Sequence, residues 1–243
     1  MSIGNTGLPR ADVPAAFDVG APAYDRLVGA SPGYHAHLRL SAQRLQLHGH
    51  GHGHGLRLLD AGCGTGASTA ALLSVAPQAE IVAVDASRGM LDQARAKSWP
   101  ASVRFVHTPV EALAENGVVG PFDGILAAYL IRNLSDPDTQ LRALRDQLAP
   151  GARLAVHDYS VRDSRVATWV WHAVCWGIII PSGRRQTGDT TLYRHLWRSV
   201  LTFDGATQFR QRMRDAGFTS VHSETMPGWE TNIAHTFLGD APQ

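Results

Sequence analysis

A chain of 243 residues with 44 % hydrophobic and 18 % charged positions can bury the core of one domain, or of one domain with an added cap. A formal net charge of +1 excludes the basic excess of a nucleic-acid binder, and two cysteines, Cys63 and Cys175, exclude a disulfide framework. The expected location is the cytoplasm: the start lacks a basic stretch followed by an apolar core, and the most apolar run, Val166 to Pro181, contains His172 and is shorter than the roughly 20 residues of a membrane span.

Residues 1–16 mix Gly, Pro, Asn and Ala without a period and are expected to fray. Phe17 to Leu47 reads as mostly helical, so residues 1–47 form an N-terminal helical lid segment. From His48 to Gly55 histidine and glycine alternate; this composition cannot pack a core and reads as a flexible linker. Imidazoles bind zinc or nickel, but nothing in the tract fixes a ligand geometry, so no metal is assigned.

After Gly55 the pattern becomes regular. Strands are expected at Leu56 to Leu59, Glu80 to Val84, Val103 to Val106, Phe122 to Ala128 and Arg153 to Tyr159. Helices alternate with them at Ala67 to Val75, at Ser87 to Lys97 with Ser87 as cap, and from Pro137 until Pro150-Gly151. This spacing implies βαβ units and a parallel sheet, a Rossmann-like α/β core over residues 56–160. A helical cap insertion follows at 161–204. Residues 205–243 close the chain with a helix (Ala206 to Ala216) and two strands, Phe218 to Met226 and Thr231 to Leu238. That makes a mostly parallel seven-stranded sheet with an antiparallel C-terminal pair. Ligands bind at the carboxyl ends of such strands, which gathers Asp60, Asp85, Pro109, Ala128 and Tyr159 around one crevice.

The strongest chemical signal is Leu58-Leu59-Asp60-Ala61-Gly62-Cys63-Gly64-Thr65-Gly66. Its glycines permit a tight turn and close approach of a ligand, and the next helix begins with free amide donors. Nineteen residues after Gly66, Asp85 ends the second strand, where a carboxylate can accept ribose hydroxyls. The spacing is not that of the dinucleotide fingerprint. Asp60 beside the loop is awkward for a pyrophosphate and suits a ligand with an amino group and a sulfonium, so the loop favours S-adenosylmethionine over NAD.

Taken together, these residues resemble the class I S-adenosylmethionine-dependent methyltransferases, and more narrowly the C-methyltransferases of ubiquinone and menaquinone biosynthesis. Phe17-Asp18 and Tyr24-Asp25 are similar to that family's N-terminal segment, and Leu59 to Gly66 and Asp85 to Leu91 to its first two motifs. Tyr129 to Asp136 resembles its Gly-Leu-Arg-Asn-Val-x-Asp signature, with Leu130 in place of the glycine. Tyr193, Leu196, Ser199 and Phe203 are similar to its cap. Pro109-Val110 stands where many relatives carry Asp or Asn before Ala, so adenine contacts fall to backbone such as that of Val110.

The resemblance implies cofactor contacts from Asp60, Gly62, Cys63, Gly64 and Thr65 in the loop, and from Asp85, Ala86 and Met90 after the second strand. Pro109, Val110, Ala127 and Ala128 would complete the set, with Tyr24 over the methionine part. Methyl transfer is an in-line displacement that asks the protein to align the reactants and exclude water. The Val166–Pro181 helix and the N-terminal segment are the expected lids, with Trp169, Trp171 and Trp176 as an aromatic pocket. For a carbon acceptor, Arg132 is the expected cation beside a phenolate, or else the partner of Asp136 or another acid. Asn133 shapes the same loop, and Tyr159 and His195 are candidate proton carriers. The expected acceptor is a small hydrophobic or aromatic molecule, quinol-type with C-methylation; O- or N-methylation of a small natural product and a non-catalytic S-adenosylmethionine-binding protein are the alternatives. No nucleic acid is expected, and a transient membrane-surface contact and a homodimer stay open.

Overall fold

The computed structural model describes residues 13–29, 33–47, 51–188 and 190–243. The expected fraying of residues 1–12, and His48 and His50 of the tract, lie outside the described residues.

Seven strands form one sheet in the order β3-β2-β1-β4-β5-β7-β6, with β1 (Arg57–Ala61), β2 (Glu80–Asp85), β3 (Val103–His107), β4 (Phe122–Ala128) and β5 (Leu148–Tyr159) parallel. β6 (Thr219–Thr225) and β7 (Ala234–Asp240) are antiparallel to each other, and β7 runs antiparallel to β5. The central strands are near-continuous apolar runs because helices cover both faces of the sheet. On one face α2 (Tyr34–Gln43) and α3 (Ala67–Val75) bury Leu38, Ala42 and Leu72 against Leu58 and Leu238. On the other, α5 (Pro137–Asp146) and α9 (Ala206–Asp215) bury Leu141, Leu144, Phe209 and Met213 against Ile125 and Phe237. α4 (Arg88–Arg95) is capped by Ser87, whose side chain accepts from the Met90 amide, and α5 by Asp136, which accepts from Thr139.

Three details differ from the sequence reading. Helix α1 (Val13–Gly29) starts inside the stretch expected to fray, with Val13 buried. In the His/Gly tract, Gly51–Gly53 forms a 3₁₀ turn rather than a free linker: His52 O accepts from the Gln78 amide at 3.0 Å, and a Cβ on Gly53 would stand 2.7 Å from Ala76. Finally, α5 ends at Asp146 and β5 already starts at Leu148. Pro150-Gly151 is a bulge within β5, where the β4 register jumps from Phe122↔Leu148 to Gly124↔Arg153 and Gly151 takes φ 74.

The cap is α6 (Arg165–Val174), a π-helical turn over Cys175–Ile179, α7 (Ile180–Thr187) and α8 (Thr191–Thr202). Pro181, the second residue of α7, lacks an amide donor, and the widened π turn lies directly before it. Trp171, Cys175, Tyr193 and Val200 form the cap's own buried cluster with Val161 and Ile233.

Candidate active site

A cavity of about 370 Å³ opens at the carboxyl ends of β1, β2 and β4, beneath α1 and α2. Its floor is the glycine loop. Gly64 has φ 54 and a Cβ added there would meet nothing within 4 Å, so its bare face looks into open space. Gly66 is a glycine for another reason: a Cβ would stand 2.7 Å from the Trp99 ring. Asp85 projects from the end of β2 with Oδ2 accepting from the Gly64 amide and Oδ1 from the Ser87 amide, both at 2.8 Å. Burial raises its pKa, and those two amide bonds oppose the rise. Each carboxylate oxygen retains a lone pair, so the group can still accept from a diol.

Asp60 sits behind the loop, fully buried. Its Oδ2 accepts from Ser68 Oγ (2.9 Å) and Thr69 Oγ1 (2.6 Å) of α3, whereas Oδ1 has no partner. Burial pushes its pKa up to about 7.

Two latches hold the roof. Asp18 of α1 accepts from Ser87 Oγ (2.5 Å) and the Gly89 amide (2.8 Å) at the head of α4. Asp25 accepts from Thr65 Oγ1 (2.5 Å) and pairs with Lys97 Nζ (2.6 Å), which also donates to Thr65 O. Partial burial pushes Asp25 up, but the hydrogen bonds from Lys97 and Thr65 outweigh it and leave the group below its ordinary value.

The upper wall is aromatic: Phe17 and Tyr24 of α1, Tyr34 of α2 and Tyr129 after β4 all line the cavity. Tyr34 and Tyr129 stack with ring centroids 5.9 Å apart and planes 7° from parallel. Tyr129 holds φ 56, a strained conformation for an aromatic residue, and its hydroxyl bonds His157 Nε2 at 2.9 Å. Behind it Ser41 Oγ bridges His157 Nδ1 and Thr236 Oγ1. Burial drives His157 down to about 3, so this imidazole is neutral. Burial also raises Tyr24, Tyr34 and Tyr129, which stay protonated phenols near neutral pH.

Most cofactor positions expected from the sequence meet here: Tyr24, Gly62, Cys63, Gly64, Thr65, Asp85, Ala86, Met90, Pro109, Val110 and Ala128 all line the cavity. Asp60 and Ala127 lie behind the wall, both fully buried. Among the residues expected to be catalytic, Asn133 lines the cavity. Arg132 does not; buried, it gives Nη1 to Asp158 at 2.5 Å and Nε to Ser199 at 3.1 Å, so its acid is Asp158 rather than Asp136. Tyr159 stands one ring further back, 5.1 Å from Tyr129, and His195 meets Asn133 Oδ1 at 3.3 Å.

Of the two expected lids, the Val166–Pro181 helix needs correction. Among the described residues none of α6 or α7 lines the cavity; Trp171 is buried in the cap, and Trp169 and Trp176 face outward. The roof is α1 and α2, and the aromatic wall is built of tyrosines. Tyr34 was not singled out in the sequence, and Tyr129 only as the start of the signature segment, because the two rings come from separate elements. The available signal was Tyr129's place directly after a strand's carboxyl end.

An open-faced glycine, a carboxylate one strand over and a buried acid with an orphaned oxygen fit a nucleoside carrying an amino-acid arm. Sheet and site together define a class I S-adenosylmethionine-dependent methyltransferase. The model of the ubiE/COQ5 methyltransferase family matches residues 10–236, and the chain belongs to that family. It is 31 % identical over 222 residues to a demethylmenaquinone methyltransferase of Thermus thermophilus, covering 91 % of this chain and 98 % of that one. It is 32 % identical over 224 residues to a ubiquinone/menaquinone biosynthesis C-methyltransferase UbiE of Syntrophotalea carbinolica, covering 90 % and 91 %. Among solved structures, the N-methyltransferase NodS of Bradyrhizobium japonicum, complexed with S-adenosylhomocysteine, superposes with a TM-score of 0.64 at 17 % identity, covering 96 % of this chain and 100 % of that one.

Proposed function

We propose that the enzyme transfers the methyl group of S-adenosylmethionine to a ring carbon of a small, hydrophobic quinol-type acceptor, in the cytoplasm and at a membrane surface. What carries the reading is the continuity of one cavity from Gly64 and Asp85 to the tyrosine wall, so that a nucleoside and a flat aromatic acceptor share a single space. The names of the two quinone-pathway relatives point to the same acceptor class. Both cysteines are free and buried, in keeping with a reducing compartment.

S-adenosylmethionine supplies an activated methyl on a sulfonium. The chain aligns, shields and orients. Gly64 and Gly62 let the backbone lie against the cofactor, Asp85 accepts from the sugar hydroxyls, and Asp60 offers its spare oxygen toward the amino group. Tyr24, Tyr34 and Phe17 close the space to water, which strengthens every charge interaction inside. Tyr129, held by neutral His157, and Asn133 orient the acceptor hydroxyl. Arg132, with its charge committed to Asp158, is a positioning residue for the Tyr129–Asn133 loop, and Tyr159 and His195 act through Tyr129 and Asn133.

The test is a methyl-labelled donor with a short-chain quinol, followed by magnetic resonance to locate the new methyl. A ring methyl is expected. A label on oxygen or nitrogen overturns carbon transfer and leaves the class intact. Asp85→Ala is expected to weaken adenosylhomocysteine affinity by roughly 10–100-fold, the loss of one or two charge-assisted hydrogen bonds, measured by calorimetry; unchanged affinity removes Asp85 from the site.

A further inference from the structure

The segment Arg165–Arg185, formed by α6, the π turn and α7, is 21 residues long and apolar enough to cross a membrane by length and composition, yet only 28 % of its most apolar window is buried. It is not built to cross. Its inner stripe of Ala167, Trp171, Cys175 and Ile180 is committed to Tyr193, Val200 and Val161. Outside that stripe four large apolar side chains are left uncovered: Val166 is 74 % exposed, Trp169 74 %, Trp176 49 % and Ile178 61 %. Positions 166, 169, 173 and 176 recur at i, i+3, i+7 and i+10, one face of a helix, and carry Val, Trp, Ala and Trp.

Charge is segregated to the same place. From Arg165 to Thr202 the sequence has five arginines and one acid, Asp189, whereas the whole chain is only +1, so the remainder is acidic on balance. Beside the apolar stripe lies a recess of about 560 Å³ lined by Trp176, Ile180, Pro181, Arg184, Arg185 and Arg194, with the Arg194 guanidinium 5.8 Å from the Trp176 ring centroid. Among the described residues none of these three arginines forms an ion pair. Tryptophan and aliphatic side chains on one helix face, bordered by arginines and without acids, suit a helix lying in the plane of an anionic headgroup layer. A second copy fits poorly: an isologous contact lays each patch on itself, bringing arginine against arginine among the described residues.

We propose that the outer face of the cap, with Trp169, Trp176 and Ile178 in the acyl boundary and Arg184, Arg185 and Arg194 on headgroup phosphates, docks the enzyme on an anionic phospholipid bilayer. α7 and α8 pack against α1, the roof of the cavity, so docking brings that roof to the lipid surface. The docking stands on the cap alone; only its use, taking up a membrane-dissolved acceptor, rests on the quinol reading above.

Flotation of the full chain with vesicles tests it. The protein is expected to float with phosphatidylcholine vesicles containing phosphatidylglycerol, far less with phosphatidylcholine alone, and less at high salt. Arg184→Ala with Arg185→Ala should lower the partition coefficient roughly fivefold for each arginine removed. Trp169→Ser with Ile178→Ser should abolish flotation, and both variants should keep the wild-type adenosylhomocysteine affinity and melting temperature. Absence of flotation with either vesicle overturns the proposal, as does flotation that neither variant weakens. A dimer in sedimentation that Trp169→Ser dissociates assigns the face to a second copy, and retention on polyglutamate without flotation assigns it to an acidic protein. Flotation without turnover of any quinol supports the docking and removes only the acceptor reading.

Discussion

Asp60 concentrates the tension of the site in one side chain. Burial raises its folded pKa to about 7, from an ordinary value near 4 in the unfolded chain. Because the folded value is the higher one, the resulting stability is present in full below about pH 4 and is lost as pH rises through about 7. A shift of this size is worth at most roughly 4 kcal/mol, so the ligand-free protein should lose on the order of 10 °C of melting temperature between about pH 4 and about pH 8. Other buried groups titrate as well, so the diagnostic is Asp60→Asn, whose profile should be flatter than wild type in calorimetry. An identical profile takes Asp60 out of the linkage. Saturating adenosylhomocysteine should also flatten the wild-type curve, since an ammonium facing Oδ1 favours the carboxylate. The loop and Asp85 were legible in the sequence because backbone geometry restricts what residues can stand there. The state of Asp60 was not, because its partners Ser68 and Thr69 sit on the far side of the turn and set a direction that spacing does not reveal.

Among the elements, α1 carries the most consequence for its length. It touches the rest of the site through Asp18 and Asp25 as well as through its aromatic residues, and both carboxylates end on the loop or on α4. Removing both with Asp18→Ala and Asp25→Ala should cost about 1 kcal/mol per latch and speed cofactor release roughly tenfold or more, read by stopped-flow fluorescence, with the melting temperature of the ligand-free core nearly unchanged. Unaltered release separates the roof from retention. Arg132 answers to a different measurement. Because it neutralises a fully buried Asp158, Arg132→Met should destabilise the fold by about 3–5 kcal/mol, and adding Asp158→Leu should recover much of the loss. Recovery of stability without recovery of turnover would return a chemical role to Arg132. The strands and α3 were readable because each obeys a local period. The 12 residues of β5 were not, since Pro150-Gly151 signals a stop and the chain instead bulges and continues.

For the molecule as a whole, the sequence conveyed the layered sheet correctly, whereas of its two expected lids the N-terminal segment lies over the cavity and the Val166–Pro181 run does not, for a single physical reason. Apolarity in a sequence marks a segment as needing cover without stating what covers it. The Val166–Pro181 run reads as a lid, yet its inner stripe is spent on α8 and its outer stripe faces away from the cavity, while the less apolar α1 and α2 close the site. The two surfaces are therefore separable by ligand. Hydrogen exchange with adenosylhomocysteine should show added protection in α1, α2 and the loop around Gly64, because a ligand that binds only the closed form must suppress its opening by the full linkage free energy, about 2.7 kcal/mol at a hundredfold excess over Kd. Over Arg165–Arg185 exchange should stay as it was, since no residue there lines the cavity. Anionic vesicles should reverse the pattern, slowing exchange in that helix first and reaching α1 only through its packing against α7. Protection of Arg165–Arg185 by adenosylhomocysteine alone would mean that the cap closes over the site after all, and that the roof described here is an open form of the enzyme.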